Sequence, residues 1–206
     1  MQKILPNLSR KIQIRRVSQI SDDHCGPAVV QMLLDNLGVE ITQEKIAEAA
    51  GVLETIKIYG TRIDQLGSAL KKLAPYVRLW YKKDSTLDNV RTLLREHAYP
   101  VGIEWQGLFE REEEEDDETD YGHYSVITHI DDGKKALIIV DPYKDFASQD
   151  RIISVSQFLR RWWDTNEITD RVTGKKEYVK DNKLLFIITP REVYFPSQLQ
   201  MQCEFA

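Results

Sequence analysis

Ser21-Asp22-Asp23-His24-Cys25-Gly26-Pro27-Ala28-Val29-Val30-Gln31-Met32-Leu33-Leu34-Asp35-Asn36 is the stretch on which the fold turns. A cysteine stands one residue ahead of Gly26-Pro27, and an apolar run of Ala28, Val29, Met32 and Leu33 follows at helical spacing. Proline suits a first helical turn, where its missing N–H would have no acceptor, so the spacing predicts a helix from about Pro27. Cys25 then lies at the positive end of that helix, where the dipole and unpaired backbone N–H groups favour a thiolate, the nucleophilic form of the side chain. A cysteine is more commonly a small buried hydrophobe. Here its neighbours Asp22, Asp23 and His24 are polar, and it precedes the apolar run instead of sitting inside it.

Working outward, residues 12–19 form an extended lead-in that delivers Gln19 six positions before Cys25. After the cysteine helix, Gly38 is a helix stop, and Thr42 caps a short helix from Glu44 to Ala50 that ends at Gly51. A third helix follows Gly60, with Thr61 and Asp64 at capping-box spacing and Ile63, Leu66, Leu70 and Leu73 on one face. Val77 to Tyr81 reads as a strand, and Ser85-Thr86 caps a helix carrying Leu87, Val90, Leu93 and Leu94.

From Pro100 the chain changes from mainly helical to mainly β. Strands are expected at Val101 to Trp105, Tyr124 to Ile130 and Ala136 to Val140, the last two joined by a turn at Asp131-Asp132-Gly133-Lys134. A strand from Arg151 to Val155 leads to a helix from Ser156 to Trp163, whose tryptophans are read as packing. Glu177 to Val179 and Leu184 to Thr189 are expected to make a last hairpin, followed by an uninformative tail from Pro190.

At 206 residues the chain can bury a core as one domain, residues 1–206, with its centre at about 15–165 and a C-terminal hairpin and tail at 166–206. The net charge of −5 is uneven: Glu110 to Asp120 carries −8, leaving +3 on the rest, a balance that argues against nucleic acid as the main partner. That acidic loop is read as a solvated insertion, with a lid over the cleft as the alternative. The two cysteines, Cys25 and Cys203, indicate neither a disulfide framework nor a metal site, and Cys203 falls in a tail expected to be poorly ordered. No apolar run suits a signal peptide or membrane span, so a cytoplasmic protein with no membrane partner is expected.

Thiol chemistry needs a base, a group that orients the base, and donors for an oxyanion. His123 opens the strand after Gly122, and Asp141 closes the next strand before Pro142; in an antiparallel hairpin these two ends lie side by side. His24 is adjacent to Cys25 and would point away from the thiol, His97 ends a surface helix, and His129 is mid-strand.

These residues resemble a known family. Gln19, Asp23-His24-Cys25-Gly26-Pro27-Ala28, the Gly60-Thr61 helix start, Tyr99-Pro100-Val101, Gly122-His123-Tyr124-Ser125-Val126 and Val140-Asp141-Pro142 are similar to the C39-like branch of papain-fold cysteine peptidases, over roughly residues 15–165. The resemblance implies an α+β papain-like fold, with a helical half presenting Cys25 packed on an antiparallel sheet presenting His123 and Asp141. It implies Cys25 as nucleophile, His123 as base, Asp141 as its orienter, and Gln19 with the Cys25 backbone N–H as oxyanion donors, with no cofactor and a peptide or protein substrate.

Two departures stand out. The family commonly has Asp directly before the cysteine, where this chain has His24, and its acidic loop is longer than expected. Transporter-linked members cleave leader peptides after a double glycine and carry membrane and ATP-binding domains, neither of which is in this sequence, so that substrate is not carried over. An amidase or acyltransferase using the same three residues, or an inactive peptide-binding module, are the alternatives. The oligomeric state is left open.

Overall fold

The computed structural model describes residues 11–107, 121–169, 173–195 and 197–204. The acidic loop lies outside them, apart from its flanks. The helical half comes first: α1 (Cys25–Asp35), α2 (Gln43–Ala50), a one-turn α3 (Ile56–Tyr59) and α4 (Ile63–Leu73). Then come β1 (Val77–Lys82), α5 (Leu87–Arg95), β2 (Val101–Gln106), β3 (Gly122–Asp131), β4 (Ala136–Val140), β5 (Asp150–Ser154) and α6 (Val155–Arg161). The chain closes with β6 (Trp163–Thr169), β7 (Lys176–Asn182), β8 (Leu185–Pro190) and β9 (Gln202–Glu204).

Seven strands form one antiparallel sheet in the order β5-β4-β3-β2-β8-β1-β9, and β6 and β7 form a separate ribbon. Each face of the sheet buries its own apolar layer. On one side α1, α2 and α4 bring Val29, Leu33, Ile46, Leu66 and Leu70 against Tyr124, Val126 and Phe186. On the other, α5 and α6 bring Leu93, Phe158 and Trp162 against Ile103, Trp105, Ile127 and Leu185. The fold is the expected α+β, papain-like arrangement.

Several local expectations change. α1 begins at Cys25, two residues before the expected start, which puts the cysteine itself in the first helical turn. The cap of α4 uses Arg62 and Gln65 in place of Thr61 and Asp64: the Arg62 backbone N–H donates to Gln65 Oε1 at 2.8 Å, while Asp64 pairs with the Arg62 guanidinium at 2.7 Å. At α5 the expected cap forms, with Asn89 N–H donating to Thr86 Oγ1 at 3.3 Å.

The expected final hairpin does not exist. β7 pairs with β6, and β8 enters the main sheet between β2 and β1. Burial explains the choice: β8 is buried on both faces at Leu185, Phe186, Ile187 and Ile188, whereas β7 (Lys-Glu-Tyr-Val-Lys-Asp-Asn) would bring charge into the core. The tail is also ordered enough to form β9, which pairs with β1 and sets Cys203 opposite Trp80.

Candidate functional site

The first turn of α1 is pressed against the loop before α4. A Cβ on Gly26 would lie 2.1 Å from Thr61 Oγ1, so only glycine allows this approach. The contact fixes where Cys25 emerges, with its side chain facing the open ends of β3 and β4. As a first-turn residue, Cys25 has a backbone N–H with no acceptor within the helix.

His123, at the start of β3, and Cys25 share a side-chain hydrogen bond. The imidazole Nε2–H donates to Asp141 Oδ1 at 2.8 Å, which leaves Nδ1 as the nitrogen for the thiol. Burial opposes a charged imidazole here, but the Asp141 carboxylate and Cys25 outweigh it and raise the His123 pKa to about 10. The hairpin β3–β4 supplies the geometry: Val126 faces Val140, so His123 and Asp141 emerge from neighbouring strand ends.

Asp141 is fully buried and saturated with donors. Oδ1 accepts from His123 and from the Tyr143 backbone N–H at 2.9 Å; Oδ2 accepts from Arg151 Nη1 at 2.6 Å and from Ser125 Oγ at 3.3 Å. Burial alone would push this carboxyl up, yet His123, Arg151 and the Tyr143 N–H hold it down at about 2. Arg151 did not stand out in the sequence, since it becomes relevant only once β5 pairs with β4, and Ser125, though within the Gly122-His123-Tyr124-Ser125-Val126 motif, carried no sign of a bond to Asp141.

Gln19 is held from three directions. Its backbone N–H donates to the Pro142 carbonyl at 2.8 Å, one residue past Asp141. The buried Gln43 side chain clamps the flanking backbone, with Nε2 donating to Ser18 O at 2.9 Å and Oε1 accepting from Ile20 N–H at 3.1 Å. The Gln19 amide spends one N–H on the Ser21 carbonyl at 2.8 Å and keeps the other. Gln43 was invisible in the sequence because its amide acts on backbone 25 residues away by number.

Of the remaining histidines, His24 faces Ser21 Oγ at 2.6 Å, with burial the main cause lowering its pKa, and His97 packs edge-on against Phe195. Neither shares the pair. The cleft beside Cys25 and His123 measures about 650 Å³ and is walled by residues 57–61 on the helical side and 164–167 of β6 on the other. Among the described residues, no group of three or more His, Cys, Asp or Glu is placed to hold a metal ion.

The model of the Peptidase_C39 like family matches residues 11–169. The chain belongs to that family. Solved structures agree on the fold at low identity. One is the peptidase domain of Streptococcus ComA, a bifunctional ABC transporter involved in a quorum sensing pathway, at a TM-score of 0.55 and 20% identity, covering 87% of this chain and 99% of that one. Another is a double glycine motif protease from an AMS/PCAT transporter in complex with its leader peptide, at a TM-score of 0.55 and 17% identity, covering 87% and 94%. No curated protein sequence matches. Among the described residues of this C39-like chain, no helix is long and apolar enough to cross a membrane.

Proposed function

We propose that this chain is a cysteine peptidase in which Cys25, His123 and Asp141 act as a triad on a peptide bond. The observation that carries the reading is one imidazole held between the thiol of a helix N-terminus and a fully buried carboxylate. Membership of the C39-like family and a fold shared with a peptidase bound to a leader peptide support a peptide as substrate.

The Cys25 thiolate attacks the scissile carbonyl carbon. The resulting oxyanion is met by the Cys25 N–H and the remaining Gln19 amide N–H. His123 gives its Nδ1 proton to the leaving amine nitrogen as the C–N bond breaks, leaving a thioester on Cys25. Neutral His123 then takes a proton from water, which attacks the thioester and releases the acid.

Incubating the protein with a peptide mixture in ¹⁸O-labelled water tests this. Hydrolysis puts the label into new C-termini in the wild type and none in Cys25→Ala. Ammonia release without chain cleavage would instead show an amidase, and transfer to an added amine would show a transferase. Binding of peptides with no turnover would leave an inactive module.

A further inference from the structure

We propose that Arg151 is a positioning residue of this site, the permanent cation that keeps buried Asp141 charged during the half of the cycle in which His123 is neutral. The inference rests on the peptidase reading above. Arg151 reaches Asp141 Oδ2 at 2.6 Å from β5, with its side chain 9% exposed and that of Asp141 0%. The guanidinium lies over the Phe146 ring, 3.8 Å from its centroid, and 5.8 Å from that of Trp105. The acid on β5 itself, Asp150, is occupied by Lys11 and Arg16 and does not compete for it.

Before acylation Asp141 faces two cations, imidazolium and guanidinium. Once the Nδ1 proton has gone to the leaving amine, His123 is neutral. A fully buried carboxylate with no counter-charge is costly, and the pair would then take a proton back from solvent at Nδ1. Arg151 cannot give up its charge, so Asp141 stays ionised beside neutral His123, whose Nε2–H is still donated to Oδ1. The Nδ1 lone pair is then left facing the thioester, which is the tautomer that can take a proton from water.

The charged and titratable groups around His123 are Cys25 from α1, Tyr124 on its own strand, Asp141 and Tyr143 after β4, and Asp164 of β6, whose carboxylate lies against Gly122. Around Asp141 they are His123 and Arg151. Of these, Arg151 alone keeps its positive charge through every step of the cycle.

The test compares the full chain with Arg151→Gln, which keeps a donor but no charge, and Arg151→Lys, which keeps the charge. With Cys25 capped as a methyl disulfide to imitate the uncharged thioester, His123 is titrated by NMR. Its midpoint should rise by about one unit or more in Arg151→Gln, because all of the Asp141 charge then acts on the imidazole, and stay near wild type in Arg151→Lys. In stopped-flow turnover of a peptide ester, deacylation at pH 7 should fall roughly tenfold in Arg151→Gln with acylation little changed, and recover in Arg151→Lys. A folded Arg151→Gln with the wild-type midpoint and deacylation rate overturns the proposal. If that variant does not fold, a folded Arg151→Lys whose midpoint has moved by a unit overturns it equally. The titration does not depend on peptidase activity. A shifted midpoint with no acyl-enzyme on any peptide would therefore sink the peptidase reading and leave the Arg151 hold on the pair standing, while normal cleavage with no shift would do the reverse.

Discussion

Cys25 and Asp141 should fail in different ways when replaced. On the proposed mechanism Cys25→Ala removes the atom that bonds to substrate, so acyl-enzyme formation should vanish. Asp141→Asn keeps the shape but loses the charge that His123 and Arg151 share, so turnover should drop by roughly 10²–10⁴-fold with a residue of activity left. Steady-state kinetics with thermal melts would check this, and a folded Asp141→Asn at full wild-type turnover would remove Asp141 from the catalytic set. The pair also sets a pH window. His123 is raised from 6.5 to about 10, so the stabilisation it draws from Asp141 is complete below 6.5 and lost as pH rises through about 10. Asp141 is lowered from 3.8 to about 2, so its share is complete above 3.8 and lost as pH falls through about 2. The alkaline limb of kcat/KM should accordingly follow loss of the imidazolium near 10, and a limb near 6.5 would mean that the imidazole is not held by the pair. Cys25, His123 and Asp141 were legible because each sits at the end of an element with strong local signals, whereas Arg151 and Gln43 act through distant neighbours that no local pattern reveals.

At the scale of elements, the tightest junctions are glycines facing side chains. Gly26→Ala would put its methyl 2.1 Å from Thr61 Oγ1 and force the first turn of α1 away from the loop before α4. Electrophile labelling of Cys25 should fall roughly tenfold or more, and Gly26→Ala/Thr61→Ala should recover most of it, since the second change removes the clashing oxygen. No recovery would mean that the turn is placed by something other than this contact. Where β2 crosses Phe186 of β8, a Cβ on Gly102 would lie 2.4 Å from the ring. Gly102→Ala should cost about 1–3 kcal/mol of stability by overpacking, read from denaturant unfolding. The elements with clean periodicity, α1, α2, α5 and the β3–β4 hairpin, were readable in advance to within a residue or two at each end. The one-turn α3 and the polar strands of the β6–β7 ribbon were not, because neither carries an apolar repeat long enough to register.

The molecule as a whole pairs a helical half with a sheet in which β8, from near the chain's end, is inserted between β2 and β1. That topology was the least legible feature: an apolar run says that a strand is buried but not which two strands flank it. The sheet also buries Glu104, one of several buried acids besides Asp141. Glu104 on β2 sits under Tyr124, which donates to it, and burial raises its pKa from 4.5 to about 7. A carboxyl that keeps its proton longer when folded makes stability fall as pH rises from 4.5 through about 7. Glu104→Gln should flatten that fall and raise the melting temperature above pH 7 relative to wild type, as a series of melts between pH 4 and 9 would show. An unchanged slope would mean that Glu104 is ionised without penalty. For the central claim, that Cys25 is the nucleophile of this C39-like fold, the most direct measurement is brief labelling of the folded protein with a peptidyl vinyl sulfone, followed by peptide mapping. Rapid modification confined to Cys25, absent at Cys203 and lost in His123→Ala, is the expected result, and modification of Cys25 no faster than that of a small free thiol, unchanged in His123→Ala, would contradict it.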